Sequence, residues 1–416
     1  MRPRAIQPLL APYLAGSHRR TLLTAATNGR PLLVLGLESS ADDTCAAIVS
    51  SERKILSNIV LKQSAIHESF GGIHPLHAQE AHQTNMPLAI ARALDEAGVR
   101  LEDLDGIAAT RGPGMYGCLS VCLGAAKALA AATGKPLLGV HHMQAHALTP
   151  FLTASPLTSS PAPEFPFLTL LLSGGHTLLL LASSPSSFRI LASTADESIG
   201  ASLDKAARDL AIPWALGAGS PGAALEAFAF PPVAEEGEGA TPPTLPAPPH
   251  FAIPFPRELA FSYAGQRSAL TRLLAAEPVS TMPRARKAQV ARAFIEAAFA
   301  QVARKVALAL ERLEGAGERA PRVRALVVSG GVASNQVLRA RLRSKLDELG
   351  KQDLPLIFPP PRLCTDNAAM IAFVGLHRLE RGLVDPLNVM QRAKWPITEC
   401  EADFADSASP RLGLRV

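Results

Sequence analysis

Three times in this chain a short apolar run ends in a turn of small residues: Gly36-Leu37-Glu38-Ser39-Ser40, Ser173-Gly174-Gly175-His176 and Ser329-Gly330-Gly331. A strand that turns sharply beside a ligand or a second backbone needs residues without bulk. A motif repeated at this scale therefore points to two related lobes whose strand-end loops face one cleft. Around the motifs, strand-like runs at Leu32–Leu35, Ala46–Val49, Gly106–Ala109, Leu137–Val140, Leu168–Leu172, Leu178–Leu181, Ala325–Val328 and Leu356–Phe358 alternate with helical periodicity over residues 78–98, 117–132, 200–211, 287–314, 335–349 and 367–382. That alternation predicts an α/β fold.

With 416 residues, 48% of them hydrophobic, the chain is long enough for two core-bearing lobes. No apolar run approaches the roughly 18 uninterrupted residues of a membrane span, so a soluble protein without membrane contact is expected. The five cysteines are scattered, odd in number and include no Cys-x-x-Cys pair, which argues against a disulfide framework or a cysteine zinc site and for a reducing compartment. Cys118 and Cys122, four apart on a predicted helix, read as small core hydrophobes.

The formal charge of +5 suggests a nucleic-acid partner, but Arg2, Arg4, Arg19, Arg20 and Arg30 precede the first acid, and +5 minus these five is zero. Phosphate contacts would have to be local. Two candidates are Arg284, Arg286 and Lys287, and the helix face with Arg339, Arg341, Arg343 and Lys345; an ordinary solvated helix face is the alternative for each. The acid-free, Arg-rich residues 1–30 have the composition of a mitochondrial transit peptide, the alternative being a disordered tail. A Pro- and Ser-rich stretch, Thr153–Pro166, reads as a lobe boundary. A second, Pro231–Pro256, holds nine prolines and reads as a surface insert in the second lobe.

In Val140-His141-His142-Met143-Gln144-Ala145-His146, a spacing of four puts the imidazoles of His142 and His146 on one helical face, as a shared metal ion requires, and turns His141 elsewhere. Such pairs are often structural, so a third ligand is needed. Asp366, in Cys364-Thr365-Asp366-Asn367 ahead of a helix, is the candidate; its alternative role is the N-cap of that helix. Two histidines and one carboxylate leave positions open for substrate oxygens and suit zinc or iron, with magnesium as a further candidate. Asp42 and Asp43 follow the first strand, where acids either handle protons or form a polar turn. The glycines at 174–175 and 330–331, with the Gly-rich loop Arg111–Gly117, allow close approach of backbone N–H groups to a phosphate.

These segments together resemble the tRNA threonylcarbamoyladenosine synthase family, over about residues 32–397. They run from Leu35-Gly36-Leu37-Glu38-Ser39-Ser40-Ala41-Asp42-Asp43-Thr44, through Phe70-Gly71-Gly72-Ile73-His74-Pro75 and the paired histidines, to Leu171-Leu172-Ser173-Gly174-Gly175-His176-Thr177, Val328–Asn335 and Cys364–Asn367. The resemblance implies the two-lobed actin-like ATPase fold of duplicated RNase H-like lobes around a central cleft. The lobes would be residues 31–150 plus 367–400, and 165–366. It also implies one divalent metal per subunit on His142, His146 and Asp366. The family's threonylcarbamoyl-AMP positions carry over to Leu171, Leu172, Ser173, Gly174, Gly175, Asp204, Gly222, Glu226 and Asn335.

The implied reaction moves the threonylcarbamoyl group of threonylcarbamoyl-AMP, made by a separate synthase, to N6 of adenosine 37 in tRNA. Asp42 or Asp43 would assist proton removal. With the leader, the chain resembles the mitochondrial branch, which implies a matrix homodimer. Departures from the family pattern are Ala41 where a cysteine is usual, Tyr263 and Ala264 within Phe261–Gly265, and the Pro-rich insert. The rival readings are a small-molecule kinase of the same fold, a non-enzymatic scaffold, and a zinc metalloprotease. The last is disfavoured because Met143 stands where its general-base glutamate would follow the first histidine.

Overall fold

The computed structural model describes residues 29–70, 72–154, 162–214, 220–231, 245–317 and 321–400; most of the expected leader and residues 232–244 of the Pro-rich insert lie outside them. The first sheet contains β1 (Leu33–Glu38), β2 (Thr44–Ser50), β3 (Ile55–Leu61), β4 (Gly106–Gly112) and β5 (Leu137–His141). The second contains β6 (Phe167–Leu172), β7 (Thr177–Ala182), β8 (Phe188–Thr194), β9 (Ala260–Phe261), β10 (Leu326–Ser329) and β11 (Leu356–Ile357).

The strand order is β3-β2-β1-β4-β5 in the first sheet and β11-β10-β6-β7-β8-β9 in the second. In each, three strands form an antiparallel meander and two more join in parallel beside the first. The short β9 is an added edge on β8. One five-stranded plan is thus used twice, which makes this the duplicated, two-lobed actin-like fold; helices separate the parallel strands, as such crossovers require.

Two helices lie between the sheets: His142–Thr153, buried at every position from His142 to Leu152, and Ala368–Glu380. Their side chains join Val34, Ala108 and Leu138 of the first sheet and Leu171, Leu180 and Val327 of the second in one apolar cluster. A helix apolar on all sides belongs inside a protein, and these two have sheet on both flanks. The helix Tyr116–Thr133 is long and apolar enough to cross a membrane by composition. It buries Cys118, Leu119, Cys122, Leu123, Ala126 and Ala130, so much of its apolar surface packs within the first lobe.

Two glycines set how closely the layers meet. At Gly36 a Cβ would stand 2.4 Å from the Ala368 carbonyl oxygen and 2.6 Å from the Ala372 nitrogen. Gly36→Ala is therefore expected to cost about 1–3 kcal/mol through backbone displacement, read as a lowered calorimetric midpoint. An unchanged midpoint would show that the helix can retreat without loss. Gly330 has φ +95° and would place a Cβ 2.4 Å from the Leu172 carbonyl oxygen, so the second-lobe loop also depends on a missing side chain.

All eight expected strands are present, and three further ones are not announced by apolar runs. β3 carries Ser57 and Asn58 at its centre, β8 is partly exposed, and β9 has two residues.

Candidate metal and adenylate site

The ligand helix starts where β5 ends. His141, its N-cap, accepts from the Gln144 N–H through Nδ1 at 3.3 Å and donates from Nε2 to the Trp395 carbonyl at 2.9 Å. His141 therefore points away from the ion site, as its spacing implies, and burial pushes its pKa down to about 3. The rings of His142 and His146 meet edge to face with centroids 4.7 Å apart.

Asp366 reaches both from the loop before Ala368–Glu380. Its Oδ1 lies 3.1 Å from His146 Nε2 and 3.5 Å from His142 Nε2, and the three ligand atoms fall within 4.8 Å of one another. The alternative capping role belongs to Asn367, whose side chain accepts from the Met370 N–H at 3.0 Å and leaves the Asp366 carboxylate to the histidines.

The cluster passes a test of fit to a divalent cation. His142 donates from Nδ1 to Glu38 Oε2 at 3.0 Å, which directs Nε2 toward Asp366. Among the described residues the buried His146 Nδ1 has no hydrogen-bond partner, so the polar contact of its ring is the one Nε2 makes with Asp366. Two imidazole nitrogens and one carboxylate oxygen form a donor set with positions to spare. The three residues can thus hold a metal ion.

Glu38 is the site residue that spacing does not reveal as a partner of the histidines. It is fully buried at the end of β1 and accepts from the Ser40 N–H, the Thr110 hydroxyl and His142, 104 residues away. Burial opposes its charge, but the facing His142 outweighs that and keeps it below the usual glutamate range. Burial likewise works against His142, which Glu38 and Asp366 nevertheless raise to about 9. Asp366 is held well below the usual range by His142 and His146 in spite of burial.

Asp42 and Asp43 stand beside this cluster. Burial, then the charge of Asp366, raises Asp42 to about 6; burial, Asp42 and Asp366 raise Asp43 to about 8. Asp42 also feels the charge of Asp204, which adds to the rise.

Leu171 and Leu172 are buried at the end of β6, and the chain turns at Ser173, whose hydroxyl accepts from the N–H groups of Gly175 at 3.3 Å and His176 at 3.0 Å. Gly174 and Gly175 are exposed at the tip. Asp204, on the helix Ile199–Asp209, accepts from the Gly222 N–H at 2.9 Å, and burial raises its pKa to about 6. Glu226 accepts from the Gln336 N–H at 2.9 Å, and Asn335 caps the helix Gln336–Glu348 by accepting from Leu338 at 3.1 Å. The second-lobe positions thus lie on four segments tied together by backbone-to-carboxylate, capping and turn hydrogen bonds. His176, at the foot of the turn, is lowered to about 4 by burial and then by His142 and His146.

Most of the basic groups singled out in the sequence have partners within the fold. Arg286 is buried and pairs with Glu277; Arg284 stacks on Phe228 and Arg339 on Phe358. Arg343 pairs with Asp347, and Lys345 with Glu348.

The model of the family "tRNA N6-adenosine threonylcarbamoyltransferase" matches residues 54–373. Proteins of that name are similar over nearly their whole length. One from Sphingopyxis alaskensis is 40% identical over 372 residues, covering 88% of this chain and 95% of that protein. One from Granulibacter bethesdensis is 37% identical over 396 residues, covering 93% and 99%. One from Cereibacter sphaeroides is 41% identical over 380 residues, covering 88% and 95%. By family match, by identity and by coverage, the chain belongs to the tRNA N6-adenosine threonylcarbamoyltransferase family.

Proposed function

We propose that this protein moves the threonylcarbamoyl group of threonylcarbamoyl-AMP to N6 of adenosine 37 in tRNAs that read codons beginning with A. The N6 amine attacks the carbamoyl carbon, a C–N bond forms, the C–O bond to phosphate breaks, and AMP leaves with the bonding electrons. The amine sheds one proton. An adenine amine is a weak nucleophile, so the enzyme's share is positioning, removal of that proton and support of developing oxygen charge.

The observation that carries this reading is the meeting of His142, His146 and Asp366, with the buried Asp42 and Asp43 within reach of the charge of Asp366. Leu171, Leu172, Ser173, Gly174, Gly175, Asp204, Gly222, Glu226 and Asn335 would cradle the adenylate. Asp42, raised to about 6 by burial and then by Asp366, is largely ionised near neutral pH and can take a proton, whereas Asp43, raised to about 8, becomes an acceptor only where a bound cation lowers it.

His142, His146 and Asp366 would hold one divalent cation per subunit, and their nitrogen-rich set favours zinc or iron over magnesium. Bound there, the ion supplies Lewis-acid polarisation of substrate oxygens. Glu38 holds His142 ready for that role from behind.

The composition of residues 1–30 supports a transit peptide and work in the mitochondrial matrix; the resemblance to the mitochondrial branch implies a homodimer supplied with threonylcarbamoyl-AMP by a separate synthase, without membrane contact. The decisive experiment mixes the protein, a tRNA transcript and threonylcarbamoyl-AMP and looks for the modified nucleoside by mass spectrometry. Absence of product with metal-loaded protein would remove the reading. Cytosolic retention of a fluorescent protein fused behind residues 1–30 would remove the matrix assignment alone.

A further inference from the structure

The turn that carries Asp42 and Asp43 is gripped from behind by a buried imidazole. His82, on the helix Pro75–Ala97, is fully buried, and its Nε2 lies 3.0 Å from the Ala41 carbonyl oxygen. A carbonyl only accepts, so Nε2 carries the hydrogen and Nδ1 is left as an acceptor. Nδ1 accepts from the Thr44 hydroxyl at 2.8 Å and lies 3.1 Å from Gln63 Nε2. One ring thus holds the residue before the two acids by its carbonyl and the residue after them by its hydroxyl.

The tautomer is fixed in turn by a one-way chain of donors. Gln63 accepts at Oε1 from His67 Nε2 at 3.0 Å, and His67 Nδ1 accepts from the His74 N–H at 3.4 Å. Thr44, Gln63, His67 and His82 are all buried, so none of these bonds has water as a ready substitute. Only the main chain of residue 41 is used, which explains why alanine serves at a place where the family usually has cysteine.

From this geometry we infer that His82 is a positioning residue for transfer: it clamps the Ala41–Thr44 turn and sets where the Asp42 and Asp43 carboxylates stand. The inference rests on the reading of those acids as proton acceptors. It adds a residue that touches neither the ion ligands nor the adenylate positions.

The test is single-turnover transfer by the full-length, metal-loaded protein, with saturation by threonylcarbamoyl-AMP followed separately. His82→Leu is expected to slow the saturated rate by about 10- to 100-fold, since a misplaced group costs rate steeply. The half-saturating concentration should stay within about twofold, because no adenylate contact is lost. His82→Gln, whose amide can still donate to the Ala41 carbonyl, is expected to recover most of the rate. In an Asp42→Asn/Asp43→Asn background, His82→Leu should cost less than about twofold more, as residues acting through one another are not additive.

A wild-type rate in His82→Leu, or its full loss repeated on top of the double Asn variant, would overturn the clamp and leave the acids' role standing. A normal rate in the double Asn variant alone would instead sink the reading of the acids. Should His82→Leu fail to fold, Thr44→Val removes one of the two grips and is expected to slow the saturated rate about 3- to 10-fold; no slowing there would also overturn the clamp.

Discussion

Exchanging His142 and His146 together for alanine is expected to leave a folded protein that binds no divalent cation and transfers at least about 1,000-fold more slowly, the loss of several kcal/mol of charge stabilisation. The two imidazoles are the only nitrogen donors of the cluster, and Asp366 alone is a weak site for zinc or iron. The change also takes from Glu38 its His142 donor, leaving a buried carboxylate with only the Ser40 N–H and the Thr110 hydroxyl. Some loss of thermal stability should accompany the loss of activity. Elemental analysis of the purified variant and single-turnover transfer check the two halves. A variant without metal that keeps the wild-type rate would show the triad to be structural.

Asp42→Asn/Asp43→Asn is expected to slow transfer by about 100-fold, within the usual range for removing a positioned base, while changing how stability depends on pH. In the unfolded chain both acids lose their protons near the ordinary value of 3.8, whereas in the ion-free fold they hold them to about 6 and about 8. The folded state therefore binds more protons across that window, and the stabilisation present below about pH 4 is lost as pH rises through 6 to 8. Ion-free wild-type protein should melt lower at pH 8 than at pH 5, and the double Asn variant should lose much of that difference. Calorimetry at the two pH values decides it; equal pH dependence in both proteins would mean that the acids are ordinary solvated carboxylates. A bound cation would lower both pKa values and weaken the effect.

Much of this arrangement was legible in the residues. The recurring strand-and-turn motif corresponds to the two copies of one sheet plan, because close backbone approach leaves the same small-residue mark wherever it occurs. The histidine pair could be placed on one helical face from spacing alone. Asp366 could be suspected but not separated from a cap, since both roles call for a short acid ahead of a helix. The fold separates them by giving the cap to Asn367.

What local pattern could not supply was partnership across the chain. Glu38 sits in a motif that reads as polar turn or proton handler, and nothing in it announces a histidine 104 residues on. His82 was invisible for the same reason: its partners lie at positions 41, 44 and 63, on three other segments. The basic clusters could not be assigned from the residues, because Arg serves internal pairing and stacking as readily as phosphate binding, and composition does not tell the two apart.

The helix Ala368–Glu380 has a bearing on how the protein is made. It covers β1 and β4 at Gly36, Val34 and Ala108, yet it is synthesised after every strand of the second sheet. Domains usually mature in the order of synthesis. Here the lobe encoded first keeps an apolar face bare until the strands of the second lobe have been made, and the third ion ligand arrives with the segment that closes it. A nascent chain stalled before residue 366 would carry both histidines and still have neither a finished core nor a finished site.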